Sequence, residues 1–263
     1  MNDHKYFESQ EQRTSPPCSV LRVPCSAPLL NGSSVQRFNA FTLIELLVVI
    51  SIIAILASLV IPISGAVSAA KNKARARAEL AQIETAIERY KDKRGHYPPD
   101  NPNNVAFNQL YYELLGTTLS NGVFTTLDGS AQISQALVQG GAFGPNVKGF
   151  VNSSTGSSGD EGSAASPFLN ALKPGQIGQF NFKSTPVKFL VGVPWQQGPA
   201  PFNFDPLPGA SPPTLNPWRY NSSSPTNNPN SFDLWIEINL GGKTFLVCNW
   251  SKQPLRITTH NPY

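Results

Sequence analysis

The most distinctive stretch of the sequence is an apolar run from Leu43 to Ile61, in which only Glu45, Ser51 and Ser58 are polar. As an α-helix this run would be about 28 Å long, close to the hydrocarbon thickness of a bilayer. Apolar side chains occupy every face of that helix, which is not the pattern of an amphipathic surface helix. We therefore predict a transmembrane helix over residues 43–61.

A helical period with one apolar side follows this run. Four apolar residues recur at three- and four-residue steps: Leu80, Ile83, Ile87 and Tyr90. This spacing predicts that the helix continues over residues 66–94 and packs one side on a folded domain. Gly95 comes next, with Pro98 and Pro99 just beyond, a combination that ends helices. The pattern thus predicts one long helix over residues 41–95.

The segment that follows, residues 100–186, contains short apolar stretches separated by turn-forming residues. The pattern favours a helix over Phe107–Leu115, a second over Ala131–Val138 with Asp128 or Ser130 as N-cap, and a short one from Ser166 to about Gly175. Residues 152–166 are rich in Ser and Gly and predict a flexible surface loop.

Alternating apolar residues near the carboxyl end predict strands. Val187–Val193 is one, and the runs 232–240 and 243–250 flank Gly241-Gly242 as in a β-hairpin. We expect these strands to form a small antiparallel sheet against the apolar side of the long helix, giving an α+β fold. The Pro- and aromatic-rich segment 193–220 is interpreted as a stiff loop that covers the sheet; a sugar- or peptide-binding loop is the alternative.

Composition and charge narrow the possible classes of protein. Only 14% of residues are charged, whereas the chain contains 24 Pro and 20 Gly, which favours a loop-rich domain over a helical bundle. The net charge of +4 is uneven, because residues 71–94 hold eight Lys and Arg, while residues 95–263 hold eight basic and eight acidic residues. Nucleic-acid-binding domains carry their basic patch on the folded body, so no nucleic-acid partner is predicted.

No residue pattern in the sequence indicates catalysis, a metal or a cofactor. Cys248 is the one cysteine after residue 40, so no internal disulfide framework is predicted there. The histidines are scattered, and Asp205, Asp233 and Glu237 are too far apart in sequence to indicate an oxygen cage for calcium. We predict no catalytic residue, no metal site and no cofactor, and hence a protein that is not an enzyme.

Glu45 is the residue that the membrane-helix prediction does not explain, because an acid in lipid is costly and marks a candidate functional site. A cleaved signal peptide does not fit, since the apolar run exceeds the usual 7–15 residues. A plain signal anchor accounts for the run but not for Glu45. The segment Phe41-Thr-Leu-Ile-Glu45, preceded by the small residue Ala40, closely resembles the processing site of prepilins, the precursors of type IV pilin-like proteins.

That resemblance implies roles for four residues. A prepilin peptidase would remove residues 1–40 by cutting between Ala40 and Phe41 and would methylate the new amino group of Phe41; the family usually has Gly where this chain has Ala40. Glu45 would pair with the N-terminal amine of a neighbouring subunit, the alternative being that it only reaches the membrane interface. Pro62 would kink or loosen the helix, or simply end the membrane span.

A second resemblance lies in the C-terminal part. Asn216-Pro217-Trp218-Arg219-Tyr220 and the strand that follows are similar to the corresponding segment of type II secretion major pseudopilins. The implied pilin fold divides the chain into a leader (1–40), a long helix (41–95) and a globular domain (96–263). The implied function is a structural subunit of a type II secretion pseudopilus or type IV pilus-like fibre. A membrane-anchored binding protein or enzyme outside a fibre is the alternative.

The resemblance also implies partners and a location. The partners would be the prepilin peptidase, further copies of this chain, other pilin-like subunits and an inner-membrane assembly platform. The chain would cross the bacterial inner membrane once, with its C-terminal domain in the periplasm.

The charges flanking the apolar run argue for the opposite orientation. Arg22 and Arg37 precede the run, whereas four basic residues follow it: Lys71, Lys73, Arg75 and Arg77. For the orientation we rely on the motif. The basic residues at 71–77 are expected to form a solvated face near lipid headgroups, the alternative being a contact between subunits.

Overall fold

A computed structural model describes residues 41–155 and 164–260, with the side chains of residues 59–64 outside the description. The predicted leader, residues 1–40, therefore lies outside the described residues. The chain divides into two compact units, one ending at Ser51 and the other beginning at Ile52. Within the described part of the chain, no helix meets the length and hydropathy needed to cross a membrane.

The first element is the long helix α1, Leu43–Arg94. Its predicted end is confirmed: Gly95 has a φ of +81°, and its N–H donates to the Lys91 carbonyl at 2.7 Å. Glycine adopts this left-handed conformation without the Cβ clash that other residues meet, so the chain can leave the helix here.

Short elements make up the rest of the described chain. The helices are α2 (Leu110–Leu115) and α3 (Gln135–Gln139), with a 3₁₀ turn at Pro174–Gln176. The first strands are β1 (Thr117–Ser120), β2 (Val123–Thr126), β3 (Gln132–Ser134) and β4 (Ser153–Thr155). The later strands are β5 (Ile177–Phe182), β6 (Thr185–Leu190), β7 (Arg219–Asn221), β8 (Asp233–Leu240), β9 (Lys243–Cys248) and β10 (Leu255–Ile257).

These strands form three sheets where the sequence predicted one. The first has the order β3-β2-β1-β4 and is mixed, because β4 runs parallel to β1. The second, in the order β10-β9-β8-β7, is antiparallel throughout, and β5 pairs with β6 as a separate hairpin. The α+β class is confirmed, and the single small sheet is corrected to two four-stranded sheets and a hairpin.

The second sheet contains the predicted β-hairpin. Leu240 pairs with Lys243 across the two-residue turn Gly241-Gly242, whose φ angles are +61° and +76°. Positive φ at both central positions identifies a type I′ turn, whose twist matches that of the flanking strands. Every residue of β8 is buried, so this strand is the centre of the second sheet.

The core joins α1 to this domain. The predicted stripe is buried: Leu80, Ile83, Ile87 and Tyr90 are at most 4% exposed. They belong to one apolar cluster with Ile236 and Ile238 of β8 and with Phe189 of β6. The expected packing of the helix stripe on the C-terminal domain is thereby confirmed.

Four local predictions were wrong in part. The helix predicted over Phe107–Leu115 begins only at Leu110, because residues 104–109 form turns held by the side chains of Asn104 and Asn108. In place of a helix over Ala131–Val138, the chain forms β3 and then α3, whose N-cap is Ser134 rather than Asp128 or Ser130.

The other two wrong predictions concern the segment around residue 166. No helix starts at Ser166; the chain is irregular up to the 3₁₀ turn at Pro174. The described ends of the expected loop 152–166 are not flexible surface, since Asn152 and Ser166 are buried and hydrogen-bonded to each other.

Replacing both Gly241 and Gly242 with alanine should lower the free energy of unfolding by about 2–3 kcal/mol, since each alanine would hold a left-handed φ. An added Cβ meets no atom within 4 Å at either site, so the loss of stability would come from the backbone conformation and not from a steric clash with neighbouring residues. Thermal unfolding of the detergent-solubilised chain measures the loss. Gly65→Ala in α1 is the control, because its added Cβ also meets nothing, yet alanine there should stabilise by about 0.5–1 kcal/mol. Equal melting temperatures for the double variant and the parent would contradict the turn assignment.

Candidate functional site

Three hydrogen bonds join Thr42 and Glu45 at the start of α1. The Thr42 N–H and hydroxyl donate to Glu45 Oε2 at 2.8 and 2.7 Å, and the Glu45 N–H donates to Thr42 Oγ1 at 3.3 Å. Thr42 directly precedes the first helical residue, so it is the N-cap and Glu45 is the third helical position. This is a capping box, which satisfies amide groups that the first helical turn leaves without partners.

This capping role was not predicted from the sequence. Glu45 was interpreted as an acid in an apolar run and as the partner of a neighbouring subunit's amine, and no role was predicted for Thr42. The signal was nonetheless present, since Thr-x-x-Glu before an apolar run is the sequence pattern of a capping box.

The helix surface around Glu45 is apolar and uncovered. Phe41 and Leu43 are each 80% exposed, and apolar side chains from Ile44 to Leu56 are 46–68% exposed on all sides of the helix. Ser51 and Ser58 donate their hydroxyls to the helix carbonyls of Leu47 and Ile55, both at 2.7 Å. Glu45 is therefore the one ionisable residue among apolar positions 43–58.

The other predicted site residues are placed less completely. Ala40 lies outside the described residues, so the cleavage site itself is seen only on its Phe41 side. Position 62 falls within α1, and the side chain of Pro62 is outside the description. The predicted kink or loosening at Pro62 stays a prediction.

Three of the four basic residues at 71–77 contact the chain's own C-terminal domain. Arg75 pairs with Glu79 at 2.7 Å and donates to the Gly175 carbonyl at 2.8 Å. Arg77 donates to the Ser251 carbonyl at 3.3 Å, and the Lys73 ammonium lies 3.3 Å from the centre of the Phe245 ring. The expectation of a solvated face is wrong for these three residues, because each helps to fix α1 on the domain.

A buried carboxylate secures the far end of α1. Glu113 of α2 is fully buried and accepts from the N–H groups of Val151 and Asn152 at 2.8 and 2.9 Å and from the Tyr90 hydroxyl at 3.0 Å. Burial raises the pKa of Glu113, against the opposing effect of these hydrogen bonds. The same burial, with Glu113 beside it, raises the pKa of Tyr90. This network joins α1, α2 and the residues leading into β4.

Asn152 extends that junction to the last residue of α1. Its amide donates to the carbonyls of Glu113 and Ser166, both at 2.7 Å, while its side-chain oxygen accepts from Arg94 at 2.6 Å. The junction is a set of structural contacts rather than an open reaction site.

The three acids considered for calcium are engaged separately. Asp233 accepts from the N–H groups of residues 226–228, Asp205 from Gln197 Nε2, and Glu237 lies 2.7 Å from His260 Nδ1. Among the described residues no three His, Cys, Asp or Glu side chains are grouped as metal ligands.

Two comparisons with known proteins gave a match. Residues 36–61 match the prokaryotic N-terminal methylation motif. The chain is 41% identical over 66 residues to the type II secretion system core protein G of Escherichia coli strain K12. That alignment covers 25% of this chain and 46% of the relative, so the chain spans about half the length of the relative it matches. No solved structure matches the chain. The resemblance to type IV pilin-like pseudopilins is confirmed on these two matches.

Proposed function

We propose that this chain, pilin-like in its N-terminal segment, is the precursor of a structural fibre subunit. Cleavage between Ala40 and Phe41 by a prepilin peptidase would produce a mature chain whose N-terminal Phe41 is then methylated. The observation that carries the proposal is the methylation motif at residues 36–61, which ends in an exposed apolar helix with one acid near its start.

The proposed assembly role of Glu45 follows from charge and solvent. Residues 43–61 would anchor the chain in the membrane, where an unpaired carboxylate is penalised by about 2.5–3.5 kcal/mol on insertion scales. Cleavage creates a cationic amine at Phe41. The amine of one subunit can neutralise Glu45 of the next, which sets how neighbouring helices align.

The proposed system is type II secretion, with a type IV pilus-like fibre as the broader description. This proposal is supported by the match to the Escherichia coli relative, whose name describes a core protein of a type II secretion system. On this proposal the chain crosses the bacterial inner membrane once, with residues 96–263 in the periplasm, and joins a periplasmic or surface fibre. Its partners are further copies, other pilin-like subunits and an inner-membrane assembly platform.

We infer a structural role rather than catalysis. Buried acids of the described domain are engaged in contacts within the protein, as Glu113 and Asp233 show. The rival, an anchored enzyme or binding module, needs the C-terminal domain but not Glu45 or cleavage. Dependence of assembly on processing therefore separates the two functions.

Ala40→Asp should block processing and assembly together, since it places a charged, larger side chain directly before the bond to be cut. We expect the 40-residue leader to be retained. We also expect a more than about tenfold loss of cross-linked multimers from native membranes, because an uncut chain has no amine at Phe41 to pair with Glu45, and a tenfold loss corresponds to about 1.4 kcal/mol. Ser34→Asp, which places the same charge six residues earlier, is the control and should be processed. Normal multimers from an uncut Ala40→Asp chain would contradict the proposal.

A further inference from the structure

Positive charge is concentrated in two segments of the sequence that contain no acid. Residues 46–78 hold four basic residues and residues 241–263 hold three, and neither segment has an Asp or a Glu. The first segment belongs to α1, and the second contains β9 and β10. Contacts between α1 and the second sheet bring the two segments together, so their positive charges lie on one part of the surface.

These contacts define which end of the sheet approaches the apolar run that ends at residue 61. The Lys73 ammonium lies 3.3 Å from the centre of the Phe245 ring, within β9. Arg77 donates at 3.3 Å to the carbonyl of Ser251, which follows β9. Because Lys73 is about 6 Å nearer to the apolar run than Arg77 along the helix axis, the first residue of β9, Lys243, lies at the end of the sheet that is nearer to this run.

Three exposed cations lie at this end of the helix and sheet. Lys243 is at the tip of the β8–β9 hairpin, and Arg256 of β10 shares a sheet face with it, since Arg256 pairs with Phe245. Within the described ranges, the side chains of these cations make no ion pair or hydrogen bond. We call these three residues the basic patch: Lys71, Lys243 and Arg256.

Nearby acids do not neutralise the basic patch, because they are engaged elsewhere. Glu79 of α1 pairs with Arg75 at 2.7 Å. Glu84, further along the helix, interacts electrostatically with Arg77. Glu237 of β8 is fully buried. The patch therefore keeps its positive charge and attracts anions.

The neighbouring part of α1 indicates which anion covers the patch. Lys71 is the first charged residue after Glu45, so residues 46–70 form an uncharged stretch. As an α-helix this stretch would be about 38 Å long, which exceeds the hydrocarbon thickness of about 30 Å and reaches the headgroup layer. In a chain anchored by this stretch, Lys71 would lie among the lipid headgroups, with the hairpin tip beside the next turn of the helix. Anionic headgroups attract Lys and Arg side chains that lie within a Debye length of them.

We propose that the basic patch binds the anionic phospholipid headgroups of the membrane that anchors the chain. Headgroup phosphate oxygens accept from Lys71, Lys243 and Arg256, so the tip of the β8–β9 hairpin lies on the bilayer surface. This contact fixes how the C-terminal domain is oriented on the membrane before the subunit assembles. The inference rests on the proposed membrane anchoring.

The test places one full chain in each lipid nanodisc, made of phosphatidylcholine with or without phosphatidylglycerol. Lysines are acetylated briefly with an activated ester, and each site is quantified by mass spectrometry. We expect acetylation of Lys71 and Lys243 to be about fivefold slower with phosphatidylglycerol, which corresponds to about 1 kcal/mol per cation. Lys148 is exposed and should react equally in both discs, because it lies just before Val151, whose N–H donates to Glu113 at the far end of α1.

Two charge reversals test the position of the patch. Arg256→Glu should remove most of the protection of Lys243, because an acid on the same sheet face repels the headgroup phosphates. Lys252→Glu is the matched control, since Lys252 is also exposed but lies past the opposite end of β9, and Lys243 should stay protected in this variant. Equal loss of protection in the two folded variants would overturn the proposal, because only the net charge would then matter.

Three results with the parent chain would also overturn the proposal. They are equal acetylation of Lys243 in the two discs, equal protection in phosphatidylcholine discs after free glycerol phosphate is added, and protection that appears only when a disc holds several chains. The second would identify a general anion site, and the third a contact with a second copy. A chain that separates from the disc would refute the membrane anchor and this inference with it, whereas equal acetylation in a chain that stays in the disc refutes only the headgroup contact.

Discussion

Glu45→Ala should remove the chain from assembled fibres while leaving it processed and in the membrane. The carboxylate is the one ionisable group on the exposed apolar helix between residues 43 and 58, so the amine of a neighbouring subunit has no other partner there. We expect cross-linked multimers from native membranes to fall more than about tenfold, which corresponds to losing over about 1.4 kcal/mol per contact. The N-terminal residue of the variant should still be Phe41.

Glu45→Gln separates the capping role that the structure shows for this residue from the pairing role that we propose for it. Glutamine can replace glutamate in a capping box, so the Thr42 hydrogen bonds that begin α1 can be kept while the charge is lost. We expect the Glu45→Gln variant to assemble as poorly as the Glu45→Ala variant. Thr42→Val is the matched control, because it removes the hydroxyl of the cap and retains the charge. Normal assembly of Glu45→Gln would show that Glu45 serves only as a cap.

Glu113→Ala should lower the free energy of unfolding by about 3 kcal/mol or more. The substitution leaves the N–H groups of Val151 and Asn152 and the Tyr90 hydroxyl without their acceptor in a buried site. Each unpaired buried group costs about 1–3 kcal/mol. Urea unfolding of the detergent-solubilised chain, followed by tryptophan fluorescence, measures the change.

Two further variants serve as comparisons for Glu113→Ala. Glu113→Gln should lower the free energy of unfolding less than Glu113→Ala does, because the glutamine oxygen can still accept a hydrogen bond. Some loss remains, since the glutamine NH₂ group faces a backbone N–H. Glu88→Ala removes the same charge from an exposed position of α1 and should change stability by less than about 0.5 kcal/mol. Similar midpoints for Glu113→Ala and Glu88→Ala would mean that the buried junction does not hold α1 to the domain.

The parts of the fold that the sequence predicted correctly are those set by local chemistry. The end of α1 follows from Gly95, and the β8–β9 hairpin follows from two glycines between alternating apolar runs. The apolar stripe of α1 was also predictable, because a 3.6-residue period places Leu80, Ile83 and Ile87 on one side.

Three of the wrong predictions fall where partners outside the predicted segment decide the structure. Gln132–Ser134 is a strand because it pairs with β2, and the segment after Ser166 is held by Asn152 and by the carbonyl of Leu114 rather than by helical bonds. Local propensity carries no information about such partners. The division into three sheets has the same cause.

The functional site shows the same contrast. Phe41 and Glu45 lie within a contiguous motif, so sequence alone was sufficient to propose them. The contacts of Arg75 and Arg77 join residues about 100 and 174 positions apart, and helix position alone indicated only a charged surface.

Prepilin processing is tested most directly by the intact mass and N-terminal sequence of the chain isolated from its native membrane. We expect a mature chain that begins with N-methylated Phe41 and lacks residues 1–40. A chain that retains residues 1–40, or one that begins after residue 64, would contradict it and would indicate a simply anchored or a secreted protein instead.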